Sequence, residues 1–257
     1  MPIKGVLLDL GGVVYVGETA LPGAVAAVER LRAAGIPFRG LTNTTRQPRR
    51  LLLDKLRRLG LDLAPENLFM PAIAARAHLE VRGLAPHLLV HPALEEDFAG
   101  LPETEPKAVV IGDAAEGFTY AALNRAFRAL EAGAEFLALA RNRSFRDADG
   151  DLSLDAGPFV AALEYATGRQ ATVLGKPSPD FFAAALASLG CAPAEAAMVG
   201  DDVESDIGGA QTAGIPGILV RTGKYQPGDE ATVDPPAAAV AADLAAAVGW
   251  ILRDDFA

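Results

Sequence analysis

The sequence predicts an α/β protein: a Rossmann-like, doubly wound parallel-sheet core that carries an inserted, smaller α/β domain. Three observations point there. Short apolar runs alternate with amphipathic helical patterns along most of the chain, the rhythm of βα units. Several of those runs stop at residues suited to chemistry. Val6-Leu7-Leu8 ends at Asp9, a second run ends at Thr42-Asn43, and Ala197-Met198-Val199 ends at Gly200-Asp201-Asp202. Between the second and third of these, residues 71–173 keep the alternation but have no paired acid at a strand end.

Taken in order, residues 3–8 form a short, mostly apolar strand, and Gly11, Gly12 and Gly17 mark an irregular turn after it. Pro22-Gly23 opens a helical pattern through Val25, Val28 and Leu31, which Gly35 closes. Residues 36–41 are the second strand. Pro48 precedes an amphipathic helix with Leu51, Leu52, Leu56 and Leu59, ended by Gly60. In the middle region strands are expected at 87–90, 108–111 and 136–140, and helices at 72–81, 120–132 and 157–167. The core pattern then resumes with a helix at 179–189, a strand at 196–199 and a helix at 203–213 stopped by Gly214. A strand at 218–220 and a last helix at 241–252 follow, with Pro235-Pro236 in a surface loop. The simplest division is a discontinuous core of residues 1–70 and 174–257, with 71–173 as the insertion.

The 257 residues give ample length for a buried core, and 51% hydrophobic with 22% charged residues is ordinary for a globular chain. A mean hydropathy of +0.22 reflects many alanines. No stretch reaches the ~18 uninterrupted apolar residues of a membrane span, and the N-terminus lacks a signal-peptide pattern, so a cytoplasmic location is expected. The net charge of −10 argues against nucleic acid as the main partner. A small phosphorylated ligand remains compatible, because a few local cations and a metal reverse the potential inside a pocket. Cys191 is the single cysteine, which excludes an intramolecular disulfide and suits a structural thiol.

Asp9 alone is a weak signal, since strands often end in Asp for turn formation. The following Leu10-Gly11-Gly12-Val13-Val14-Tyr15 strengthens it, because glycines let backbone approach a ligand closely. Asp201, Asp202 and Asp206 crowd one strand-to-helix turn and repel one another unless a cation compensates; capping of the helix by one of them is the plain alternative. Thr42-Asn43-Thr44-Thr45 supplies a hydroxyl and the free amides of a helix start, either a cap or an anion site. Lys176, fixed between Gly175 and Pro177, reads as a directed ammonium. Pro177 stands where a nucleotide-binding P-loop needs Ser or Thr, so that motif does not fit. His87 and His91 share a strand face without a third ligand, which favours packing over zinc. Of Arg46, Arg49, Arg50, Arg57 and Arg58, only Arg46 is near enough to bias the pocket. Arg221-Thr222-Gly223-Lys224 reads as an exposed loop.

In this order the four segments resemble the haloacid dehalogenase superfamily, whose segments are an apolar strand ending Asp-x-Asp-Gly, a Thr or Ser, a Lys, and Gly-Asp-Asp-x-x-x-Asp. The insertion after the second segment resembles its branch with a large α/β cap. Leu41-Thr42-Asn43-Thr44-Thr45, Gly117-Phe118-Thr119-Tyr120, Leu154-Asp155-Ala156-Gly157-Pro158 and Arg221-Thr222-Gly223-Lys224-Tyr225 look like the subgroup of phospholysine phosphohistidine inorganic pyrophosphate phosphatases and their hydrolase-domain-containing relatives. The resemblance implies a Mg²⁺-dependent phosphatase acting on small phosphorylated substrates. Asp9 would be the nucleophile that becomes an aspartyl phosphate. Asp9, Asp201 and the Gly11 carbonyl would hold Mg²⁺, with Asp202 and Asp206 supporting from behind. Leu10, Gly11, Thr42, Asn43 and Lys176 would hold the phosphoryl group, and Thr42 and Lys176 would stabilise its charge in transfer. A cap that excludes water and selects the leaving group is also implied, as is a possible homodimer through it.

The departure is Gly11, where most members of that superfamily carry a second Asp that protonates the leaving group; the subgroup above lacks it too. Proton transfer of this kind is worth ~10²–10⁴-fold. Alkyl phosphates are therefore expected to be poor substrates, and N-phosphoryl compounds, acyl or aryl phosphates and pyrophosphate better ones. The contrasting expectation is a catalytically weak protein that binds a phosphorylated metabolite or a partner through its cap.

Overall fold

The computed structural model describes residues 2–104, 107–146 and 151–253. Its contacts group the chain into two compact units: Met1–Thr42, Leu52–Phe69 and Lys176–Ala257 in the first, Asn43–Leu51 and Met70–Gly175 in the second.

The first unit is built on a six-stranded, wholly parallel sheet. Its order is Ala239–Ala241, Gly217–Val220, Ala196–Gly200, Gly5–Asp9, Phe38–Leu41, Leu68–Phe69. The central strands are apolar without alternation because both faces are covered: Gly5–Asp9 and Ala196–Gly200 are buried throughout. Helix Ala24–Ala33 packs with Leu244–Arg253, while Pro179–Leu189 packs against the Gly5–Asp9 and Phe38–Leu41 strands. Pro179–Leu189 buries Phe181, Phe182, Ala185 and Leu186, starts on a proline and ends on Gly190 in the left-handed region. Register then fixes the chemistry. Leu8 pairs with Val199 and Asp9 with Leu41, so Asp9, Thr42 and Asp201 all come at the carboxyl edge of three adjacent strands.

The second unit has its own parallel sheet, ordered Thr172–Val173, Glu135–Ala138, Ala108–Ile111, Pro86–Leu89. Side chains alternate across it. Val109, Ile111, Phe136 and Ala138 pack with Ala122, Ala126 and Leu130 of helix Tyr120–Glu131 and with Val160 and Leu163 of helix Ala156–Thr167. Ala108, Val110, Leu137 and Leu139 pack on the other side with Ala72, Ala75 and Leu79 of helix Pro71–Arg82. An antiparallel ribbon, Ser144–Arg146 with Leu152–Leu154, completes the unit. No helix among the described residues is long and apolar enough to cross a membrane.

Two expected helices differ. The last begins at Leu244 rather than 241, because Ala239–Ala241 is a sixth strand on Gly217–Val220 and Asp243 caps the helix, its Oδ1 accepting from Ala246 N at 2.8 Å. The segment expected as one helix at 203–213 is a wider π-helical turn, Val203–Gly208, followed by α-helix Gly209–Thr212. The N–H of Ile207 reaches back five residues to the Asp202 carbonyl, a geometry frequent at functional sites.

Candidate active site

Four ionisable side chains from distant parts of the first unit meet at the carboxyl edge of its sheet. Asp9 and Asp201 follow the apolar runs of adjacent strands, Asp206 sits on the π-helical turn, and Lys176 precedes helix Pro179–Leu189. Carboxylate oxygens of Asp9, Asp201 and Asp206 lie within 4.8 Å of one another, and all three residues are buried. Lys176 Nζ donates to Asp9 Oδ1 and, at 2.6 Å, to Asp206 Oδ1. It is buried as well, 4% exposed.

Burial is the main reason these carboxyls resist ionisation. Asp9 is pushed up to about 6, by burial and by Asp201, against the pull of Lys176. Asp201 is pushed up to about 6 by burial and by Asp206. Asp206 rises to about 6 by burial, with Asp9 and Asp202 adding to it. Lys176 moves the other way to most buried lysines: the attraction of Asp206 and Asp9 outweighs its desolvation and raises it. One ammonium among three buried carboxylates leaves two negative charges unbalanced when all are ionised. Closely spaced carboxylate oxygens with that excess suit a hard divalent cation.

The other expected residues divide. Thr42 is buried, and its N–H donates to the Phe69 carbonyl at 3.1 Å. Leu10 is fully buried, and its carbonyl accepts from Val14 N and Tyr15 N. Gly11 has open space where a side chain would begin. Asn43 falls in the second unit, where its Oδ1 would come 2.7 Å from a Cβ added at Gly175. Asp202 turns away from the trio. Its Oδ1 caps the π-helical turn, accepting from Glu204 N at 3.1 Å and Ser205 N at 3.0 Å, and its Oδ2 accepts from Lys224 Nζ at 2.9 Å. Despite the cost of burial, Lys224 and those N–H groups hold Asp202 down at about 2.

The 221–224 segment is the largely exposed loop expected, and it is also part of this edge. Thr222 Oγ1 donates to the Gly12 carbonyl at 2.6 Å, and Lys224 N donates to Asp201 Oδ2 at 2.6 Å. Gly12 and Gly223, both at positive φ, clasp the Asp201 carboxylate: a Cβ on either would lie 2.1 or 2.0 Å from Oδ2. The signal for this was available, since the segment directly follows a core strand at its carboxyl end, where α/β ligands bind. Arg46 belongs to the second unit, with Nε 2.5 Å from Asp113 Oδ2 and its guanidinium 4.3 Å from the Phe145 ring centroid. His91 lies beyond the strand Pro86–Leu89 and caps the turn at Pro92–Phe98, while His87 Nε2 is buried without a hydrogen-bond partner among the described residues.

Comparison with known proteins adds a separate line of support. Residues 6–101 match a family model described as haloacid dehalogenase-like hydrolase, and residues 173–247 one described as HAD-hydrolase-like. Haloacid dehalogenase-like hydrolase domain-containing protein 2 of Homo sapiens is 45% identical over 251 residues, covering 98% of this chain and 96% of that protein. Phospholysine phosphohistidine inorganic pyrophosphate phosphatase of Danio rerio is 46% identical over 259 residues, covering 98% of this chain and 95% of that protein. A solved structure of glycerol phosphate phosphatase from Mycobacterium tuberculosis, in complex with magnesium, is similar with a TM-score of 0.82 and 28% identity. It covers 94% of this chain and 75% of that one.

Proposed function

Because the chain belongs to the haloacid dehalogenase-like hydrolases, we propose that it is a Mg²⁺-dependent phosphatase that works through Asp9 and favours good leaving groups. The observation that carries this is the buried meeting of Asp9, Asp201, Asp206 and Lys176 at the carboxyl edge of one parallel sheet.

Asp9 attacks phosphorus through a carboxylate oxygen. The bond to the leaving group breaks with its electron pair, and an aspartyl phosphate forms. Water then attacks that phosphorus, releasing inorganic phosphate and restoring Asp9. Lys176 steers Asp9 before attack and, with the Thr42 hydroxyl and the Asn43 amide, offsets charge on the phosphoryl oxygens. Leu10 and Gly11 supply main chain for the phosphoryl group to approach. Asp9, Asp201 and the Gly11 carbonyl would hold Mg²⁺, with Asp206 orienting Lys176 and Asp202 fixing the turn beneath. When bound, the ion draws charge from the transferring group and neutralises the acidic cluster.

No side chain at position 11 can hand a proton to the departing group. Phosphoramidates that already carry a proton on nitrogen, aryl phosphates and pyrophosphate need that help least. The name of the Danio rerio relative, with its phospholysine, phosphohistidine and pyrophosphate, agrees with such a preference. Residues 71–173 are assigned the selection of the leaving group, as a cap. Exposed Tyr120, Leu152, Leu154 and Tyr165 in that region support a homodimer through it, which sedimentation of the purified protein tests.

The deciding experiment incubates the pure protein with p-nitrophenyl phosphate and with pyrophosphate, with Mg²⁺ or with EDTA. Turnover that needs Mg²⁺ and vanishes in Asp9→Asn is expected. Silence of the wild type on both, and on a panel of phosphoamino acids and sugar phosphates, would instead favour a binding protein.

A further inference from the structure

The turn after Asp9 folds back on itself. Val14 N and Tyr15 N both donate to the Leu10 carbonyl, and Gly12 N donates to the Tyr15 carbonyl at 2.7 Å. This brings Gly11 and Tyr15 into a β-bridge. Residues paired across a bridge project to one face, so Tyr15 stands on the face that a side chain at position 11 would share. The Tyr15 ring is held by a buried cation. Lys55 Nζ lies 4.3 Å from the ring centroid and 3.0 Å from Glu18 Oε1, and its side chain is only 9% exposed. An ammonium so buried is costly without partners of this kind, so the ring is part of a built arrangement. Its hydroxyl makes no hydrogen bond within the described residues. A phenol is protonated at neutral pH and able to donate.

From this arrangement we infer that Tyr15 is a further catalytic residue, donating a hydrogen bond to the leaving-group atom on the side left open by Gly11. The inference rests on the phosphatase reading and deepens it. As the bond to phosphorus lengthens, negative charge gathers on the leaving oxygen, and the phenol O–H stabilises it without surrendering its proton. That proton comes from water after departure. The donor therefore replaces part of what an acid at position 11 would do, and its benefit grows with the basicity of the leaving group.

The test is Tyr15→Phe in the full chain with Mg²⁺, assayed on a series of aryl phosphates whose phenols span a wide range of acidity. Phe keeps the ring beneath Lys55 and loses only a hydroxyl without a hydrogen bond among the described residues, so the melting temperature is expected to stay unchanged. The expected result is a loss on the order of 10-fold for the most basic leaving groups and little loss for p-nitrophenolate, a steeper dependence of rate on leaving-group pKa. An equal loss across the series, or no loss at all, overturns the inference while leaving the phosphatase reading intact. A wild type inactive on the whole series overturns both.

Discussion

At the scale of single residues, position 11 offers the sharpest experiment. A Cβ added there meets nothing within 4 Å, so the side chain of Gly11→Asp starts into open space. It is expected to raise kcat/KM for alkyl phosphates relative to p-nitrophenyl phosphate by about 10²-fold. An unchanged ratio would remove the explanation of leaving-group preference given above. Lys176 makes the opposite kind of test. Lys176→Met leaves three buried carboxylates without their ammonium and is expected to cost about 3–5 kcal/mol in urea denaturation without metal. Mg²⁺ should recover part of that loss. Asp9, Asp201 and Lys176 were legible in the sequence because each stands at a break between an apolar run and a helical pattern. Tyr15 and Lys55 were not, since a ring beneath an ammonium leaves no mark on periodicity. The contact of Thr222 with Gly12 was equally hidden, as it joins residues 210 apart in the chain.

At the scale of elements, the turn Val203–Gly208 joins stability to the site. Asp202 caps it through two N–H groups and pairs with Lys224, while Asp206 from the same turn reaches Lys176. Asp202→Ala is expected to lower stability by about 1–2 kcal/mol and to weaken Mg²⁺ binding, read by calorimetric titration. A variant with unaltered Mg²⁺ affinity would mean the turn holds Asp206 without that cap. The π-helical geometry was not legible, because the apolar spacing at 203–213 matches an α-helix equally well. Ala239–Ala241 escaped for a related reason. An alanine-rich stretch has no distinctive period, and only the neighbouring strand decides that it pairs as a strand. The strands Gly5–Asp9 and Ala196–Gly200, by contrast, announced themselves through uninterrupted apolar runs that stop at acid.

For the molecule as a whole, acidity links folding to metal. Asp9, Asp201 and Asp206 hold protons more tightly folded than unfolded, at about 6 against the usual carboxylate value. A folded value above the unfolded one means that stability rises as pH falls through about 6 and that ionisation above it is a cost. Metal-free protein is therefore expected to melt at higher temperature at pH 5 than at pH 8. Added Mg²⁺ should raise the melting temperature most at pH 8, and progressively less as protons compete for the same oxygens. Equal metal-induced gains at both pH values would argue that the ion binds elsewhere. Asp202, held at about 2, acts only at much lower pH and leaves this window untouched.

The strand order Ala196–Gly200 beside Gly5–Asp9 also has a consequence for how the protein is made. Val6, Leu7 and Leu8 leave the ribosome well before their neighbours on one side, which follow roughly 190 residues later, ~10–40 s at ordinary rates of synthesis. During that interval a strand buried on both faces in the finished protein lacks half of its pairing. Nascent chains halted before residue 196 are thus the ones most prone to stick to each other, and the acidic cluster cannot close around Asp9 until Asp201 and Asp206 have been made.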